Sequence, residues 1–335
     1  MSRTSKSPLT VARAAYEVGQ KSLPRYAHRY SRRDFTCAQL FAVLVLRKFF
    51  KLDYRGTIAF LAEWAELREA LDFDSKLPHF TTPQKASAKL LRDPLLRKLL
   101  SQTLEQVYRP HATKHRQIDD DDMAWVLRID RSAADSTGFE SGHASKYFTR
   151  RKGGKNKGDP PTQATAHRRF PKLAVVAGTD RHVILAIHRT QGPRPDAREL
   201  LPLMEAMDGR IWPEQMLLDA GYDSEENHAL LREVLGIESV IPPRIGRPTH
   251  KLPSGKWRWL MATAFDDESY AQRWQVETVM FMLKSRQGEA LTARTYQGRR
   301  REMGLMAVAH NIMVIAVVGP FYRAPLQPKT KATYF

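Results

Sequence analysis

The chain of 335 residues is long enough for a sizeable core and about two domains, and its 42% hydrophobic content fits a globular protein. Lys and Arg number 54 against 36 Asp and Glu, a formal charge of +18 that draws in acidic partners, nucleic acid first among them. One cysteine, Cys37, rules out an internal disulfide and a cysteine-based zinc finger; it points to core packing in a reducing compartment, so a cytoplasmic protein is expected.

Residues 1–33 read as a basic N-terminal tail without an apolar signal segment. From 34 to 118 apolar helical patterns alternate with short breaks: "DFTCAQLFAVLVLRKFF", "TIAFLAEWAELREAL" and, with Pro83 in its first turn, "TTPQKASAKLLRDPLLRKLLSQTLEQVY". The expectation is an all-helical region of about the size of a small DNA-binding module. A helix-turn-helix could use 57–71 and the segment starting at Thr82, with Gln84, Lys85, Ser87 and Lys89 as surface candidates for a DNA groove. His111 and His115, at i,i+4 with no further ligand nearby, suit a surface pair better than a zinc site. "DDDD" at 119–122 reads as part of a solvated linker spanning 119–124.

Beyond the linker the periodicity changes. "WVLRIDRSAAD", "KLAVVAGTD", "HVILAIHRT", "QMLLDAG" and "ESVIPP" are short apolar or β-branched runs bounded by turn residues, as strands are, with helical patterns at "DARELLPLMEAM" and "SEENHALLREVL". Three strands, helix, strand, helix, strand and a final long helix make an α/β domain, a mixed five-stranded sheet flanked by helices on the ribonuclease H-like plan, expected over 125–320 and followed by a tail at 321–335. The uncharged run "MGLMAVAHNIMVIAVVGPFY" at 303–322 approaches the length of a membrane span, but central His310 and Asn311 and a following proline favour a buried core helix and no membrane partner.

Sheets of this kind carry chemistry where strands finish. Asp135 in "RSAADSTG" ends the first strand and Asp219 in "MLLDAGY" ends the fourth; neighbouring strands would bring the two together. An Asp before such a turn is often only a turn former, so either alone says little. Asp130, at odd spacing from Asp135, belongs on the opposite face. A third acid, Glu277, lies in "YAQRWQVETVMFMLKSRQG" (270–288), where Tyr270, Arg273, Glu277 and Lys284 share one helical stripe. Three close carboxylates suit magnesium-dependent phosphoryl transfer, in which hard cations take oxygen ligands and relieve the repulsion among acids and phosphodiester.

The pattern Tyr270, two residues, Arg273, three residues, Glu277, six residues, Lys284 resembles the Y-(2)-R-(3)-E-(6)-K signature of bacterial insertion-sequence transposases of the DDE class. With "DSTG" around Asp135 and "LLDAGYDS" around Asp219, the chain is similar to insertion-sequence families four and five over roughly residues 34–318. The resemblance implies that Asp135, Asp219 and Glu277 hold the catalytic metals, Mg2+ or Mn2+ and two ions, while Tyr270, Arg273 and Lys284 contact the transposon end. It implies cleavage at the element's ends and strand transfer into target DNA, with double-stranded terminal inverted repeats and target DNA as partners and a homodimer assembled on them.

Some family members carry a large β-rich insertion between the second Asp and the Glu; here only 57 residues separate Asp219 from Glu277. Within them "IGRPTHKLPSGKWRWLM" could form one β-hairpin around Ser254 and Gly255, with Trp257 and Trp259 on one side. Two basic stretches offer paths for a phosphate backbone. "KYFTRRKGGKNKG" at 146–158 carries six Lys or Arg, among them Arg150, Arg151, Lys152 and Lys155, and "RTYQGRRRE" spans 294–302. Two rival readings are an inactive or domesticated DNA-binding relative and a glycoside hydrolase with paired acids; the latter leaves the positive charge unexplained.

Overall fold

The computed structural model describes residues 4–74, 76–109, 113–114, 125–141, 169–244 and 252–318. The linker at 119–124, His111 and His115, the basic stretch with Arg150, Arg151, Lys152 and Lys155, and the tail at 321–335 lie outside them.

Six helices come first: α1 (Pro8–Ser22), α2 (Cys37–Phe49), α3 (Tyr54–Glu63), α4 (Ala65–Ala70), α5 (Thr81–Leu90) and α6 (Asp93–Tyr108). The stretch read as an N-terminal tail therefore holds a helix, a correction to the sequence reading. Ser7 caps α1 by accepting the Thr10 N–H, Pro8 occupies its first turn, and Val11, Ala12, Ala14, Ala15 and Val18 are fully buried. A β-carbon added at Gly19 would come within 2.9 Å of the Ala38 backbone, so glycine permits the close approach of α1 to α2. A reciprocal capping box between Thr36 and Gln39 opens α2, which is buried nearly throughout, Cys37 included.

The sheet comprises β1 (Trp125–Gly138), β2 (Phe170–Gly178), β3 (Ile184–Gly192), β4 (Ile211–Leu218) and β5 (Glu238–Val240), in the spatial order β3-β2-β1-β4-β5. β1 runs antiparallel to β2, pairing Asp135 with Val175, and β2 runs antiparallel to β3. On the other side β1 is parallel to β4, pairing Ala134 with Leu218, and β4 is parallel to β5. A two-residue segment, Thr113–Lys114, pairs with the start of β1. Between β3 and β4 lie a 3-10 turn at Asp196–Glu199 and α7 (Leu200–Ala206); α8 (Glu225–Ala229), continued by one π turn at Leu230–Val234, leads to β5. The five strands, their order and the interspersed helices match the α/β sheet expected from the sequence.

Each strand sends alternate residues to opposite faces. Ala133, Leu173, Val175, Ala177 and Leu217 join one core with α11 (Trp274–Gln287), α12 (Tyr296–Val318) and the N-terminal helices. Ala134, Ala174, Val176, Met216 and Leu218 join a second core with Leu200 and Leu203 of α7, Tyr222 and Leu231. The N-terminal helices thus share a core with the sheet instead of forming one of their own.

The apolar run around His310 and Asn311 is the buried centre of α12, and no helix among the described residues is long and apolar enough to cross a membrane. Its two polar residues clip the helix to the beginning of edge strand β3. Asn311 accepts the Ile184 N–H and donates to the Ile184 carbonyl, both at 2.9 Å, and donates to the Thr103 hydroxyl; His310 Nε2 donates to the His182 carbonyl at 2.8 Å. A buried Lys48–Glu302 ion pair joins α2 to α12.

The hairpin expected around Ser254 and Gly255 is corrected: the chain bends there, with Gly255 at φ 106°, and enters α9 (Lys256–Thr263). Glu225 supplies the reason by accepting the N–H groups of Trp257 at 2.9 Å and Arg258 at 3.1 Å, which caps a helix start. Trp257 donates through Nε1 to Glu233 and lies beneath the Arg232 and Lys256 cations, whereas Trp259 is exposed.

Candidate active site

Asp135 and Asp219 come together by register. Ala134 pairs with Leu218, so the next residue on each parallel strand is an aspartate, and both carry the parity of Ala133 and Leu217, on the α11 side. Each carboxylate engages the backbone of its successor: Asp135 Oδ1 accepts the Ser136 N–H at 2.7 Å and Asp219 Oδ1 accepts the Ala220 N–H at 2.8 Å. The turn-forming role that such an Asp can play is therefore real for Asp219, which caps the 3-10 turn at Ala220–Tyr222.

Burial pushes the Asp135 carboxyl up from 3.8 to about 6. The Ser136 N–H and the Arg273 charge oppose this rise, and the negative charges of Asp219 and Asp196 add to it. An acid so placed is short of positive charge, which is the electrostatic condition of a cation site.

The stripe from 270 to 284 is not one unbroken helix. Asp267–Tyr270 forms α10, a 3-10 turn covers Ala271–Arg273, and α11 begins at Trp274. The tighter turn keeps Tyr270 and Arg273 together, with the guanidinium 5.8 Å from the ring centroid, while Arg273 Nη2 pairs with Glu277 Oε1. Tyr270 also packs edge-on against Phe265 at 5.1 Å. Lys284, almost two turns beyond Glu277, holds its ammonium 5.6 Å from the Phe139 ring, just past the end of β1.

Asp196 went unmentioned in the sequence reading. It starts the 3-10 turn after β3 and reaches the other side of β1, accepting from the Ser136 hydroxyl at 2.5 Å and pairing with buried Lys172 at 2.6 Å. Beside it the Tyr222 hydroxyl is fully buried without a hydrogen-bond partner, and burial together with Asp196, Asp135, Glu199 and Asp219 pushes that phenol well up. An Asp at the end of a "GPRPD" turn following a strand was the available signal; only the fold shows which strand end it meets.

Among the described residues no group of three or more His, Cys, Asp or Glu stands in position to hold a metal ion. The Glu277 carboxylate is paired with Arg273. The Asp135–Asp219 pair does fit a hard divalent cation: two oxygen-donor side chains, adjacent in register, on one face, with the Asp135 carboxyl raised by burial and, to a smaller extent, by its acidic neighbours. Magnesium is commonly bound through one or two carboxylates plus substrate phosphates, so two suffice to found a site. Gln84 and Lys85 are exposed on α5, away from this group.

A mixed sheet of this order, with acids finishing its two central parallel strands and a third acid on the helix across them, defines an α/β domain of ribonuclease H-like architecture. Residues 126–312, more than half of the chain, match the family described as the transposase DDE domain, and the chain belongs to that family. No curated protein matches it. DNA-processing enzymes of this family generally use divalent metal ions.

Proposed function

We propose that this protein is an insertion-sequence transposase of the family four and five type, which cleaves DNA at the ends of its element and joins the freed 3′-hydroxyl to target DNA. The observation that carries the reading is the juxtaposition of Asp135 and Asp219, each one residue past the paired Ala134 and Leu218 and facing the helix of Glu277. Asp135 and Asp219 would hold a magnesium or manganese ion, with Glu277 completing the set for two ions once it parts from Arg273. When bound, such ions activate the attacking oxygen and steady the leaving one.

Arg273 serves two anions in turn. It neutralises Glu277 when DNA is absent, and a phosphate of the transposon end competes for the same guanidinium. Tyr270 stacks beside that phosphate and Lys284 holds the strand further along the helix, beyond β1. The helices at 34–118 and the basic stretch with Arg150, Arg151, Lys152 and Lys155 would grip the rest of the terminal repeat, in a homodimer that pairs two ends.

Magnesium-dependent nicking of DNA carrying the sequences that flank the gene tests this, with Asp219→Ala as the control. Cleavage by the parent protein and none by the variant is the expected result. Salt-sensitive DNA binding without nicking, in magnesium or manganese, would favour the inactive relative instead.

A further inference from the structure

A second cationic concavity lies apart from the acids. It is a cavity of about 620 Å³ between α5 and the start of α12, lined by Arg47, Gln84, Ser87, Arg294, Arg301 and Glu302 among others. Neither Asp135, Asp219 nor Glu277 lines it.

Its charge is lopsided. Glu302 is the only acid among the lining residues, and it is already satisfied. It pairs with buried Lys48 and accepts the N–H groups of Thr292 at 3.2 Å and Ala293 at 2.8 Å. Three guanidinium groups remain, and none has a carboxylate partner among the described residues. Arg47 is the sharpest case. It is only 8% exposed, donates through Nη2 to the Thr292 hydroxyl at 3.0 Å and lies 4.2 Å from the Tyr54 ring centroid, but its Nε is buried without a hydrogen-bond partner.

Burying an unpaired cation costs several kcal/mol, roughly, unless an anion compensates it. Phosphate oxygens match guanidinium forks, and the Gln84 side-chain amide on the opposite wall adds a polar donor. The positive charge does not stop inside the cavity, because Arg294, which lines it, is exposed at the rim, and exposed Lys85 follows Gln84 on α5. A small anion would be satisfied inside the cavity and leave this band without a role. A polymer carrying a charge about every 1.7 Å of its axis uses all of it.

We propose that this groove seats the sugar–phosphate backbone of duplex DNA, as a site separate from the carboxylates. The inference rests on the proposed DNA-processing reading and gives that reading a second point of contact, on which α5 and the basic run at 294–302 act together.

The test is fluorescence anisotropy of a labelled duplex with the full chain across a salt series. The variant is R294E/R301E, and the charge-matched control K21E/R109E makes the same change in formal charge at exposed sites away from the groove. The expected result is at least a tenfold loss of affinity for R294E/R301E and a log–log salt slope shallower by about 2, since each lost phosphate contact removes about 0.9, with the control within about threefold of the parent. Unfolding midpoints check that each variant folds, and R294Q/R301Q, expected to lower the slope similarly, replaces the reversal if it does not. Equal losses in variant and control, an unchanged slope, or displacement of the duplex by micromolar inorganic phosphate would overturn the proposal. Failure of the parent protein to bind DNA at all would sink the broader reading, whereas parental binding that the groove variant leaves intact sinks the groove alone.

Discussion

Replacing Asp135 with asparagine should stabilise the fold while removing DNA cleavage. Its carboxyl is raised from 3.8 to about 6 by burial and by the charges of Asp219 and Asp196. At neutral pH the folded protein therefore holds an ionised group that the unfolded chain accommodates more easily. Two units correspond to about 3 kcal/mol, and partial exposure with screening reduces this to about 1–2 kcal/mol. The sign follows from linkage. For an acid whose folded pKa is raised, the penalty is full above about pH 6, shrinks as the folded protein takes up a proton, and vanishes below the unfolded value near 3.8. Asp135→Asn should thus raise the denaturant midpoint at about pH 7.5, and the gain should fade by about pH 4. Magnesium should stabilise the parent protein and leave the variant nearly unaffected, because a ligand that binds only the folded state adds stability by mass action. Chemical denaturation at several pH values, with and without magnesium, measures all three. A variant less stable than its parent at neutral pH, or one whose gain does not depend on pH, would refute the assignment of Asp135 to an electrostatically strained cation site.

Glu302→Ala should cost about 3–5 kcal/mol in equilibrium unfolding, because it strands the Lys48 ammonium in the core between α2 and α12; a loss below about 1 kcal/mol would show that water reaches the pair. Asn311→Leu leaves the Ile184 N–H and carbonyl without their side-chain partner, so a cost of about 2–5 kcal/mol is expected, with faster amide exchange at the start of β3. His310 is fully buried, and burial holds its pKa down at about 4 against an ordinary 6.5, so the unfolded chain binds a proton that the folded one refuses. Stability from this residue, at most about 3 kcal/mol, is lost as pH falls from about 6.5 to 4, and His310→Gln should flatten that part of the pH–stability curve relative to the parent.

Local information carried the strands and most helices, because a short apolar, β-branched run bounded by turn residues such as "KLAVVAG", and a longer apolar run behind a capping threonine such as "TCAQLFAVLVLRKFF", are properties of a few neighbouring residues. It also singled out Asp135, Asp219 and the Tyr270, Arg273, Glu277 and Lys284 stripe, since turn chemistry and fixed spacing are written in the chain. It missed α1, although the Ser7 cap, Pro8 in the first turn and the spacing of Val11, Ala14, Ala15 and Val18 are local signals, and it read a hairpin where the distant Glu225 caps a helix.

Which residues meet was decided in three dimensions. Parallel register sets Asp135 beside Asp219, an edge-strand connection brings Asp196 to the far side of the same strand end, and Arg273 holds Glu277. The +18 charge was evident from composition alone, but its concentration on Arg47, Arg294 and Arg301 follows from α2 and α12 packing together after more than two hundred residues of intervening chain. Spacing along a chain constrains partners only over a few residues; beyond that range, burial of the two sheet faces chooses them, and charges assemble wherever that burial carries their backbone.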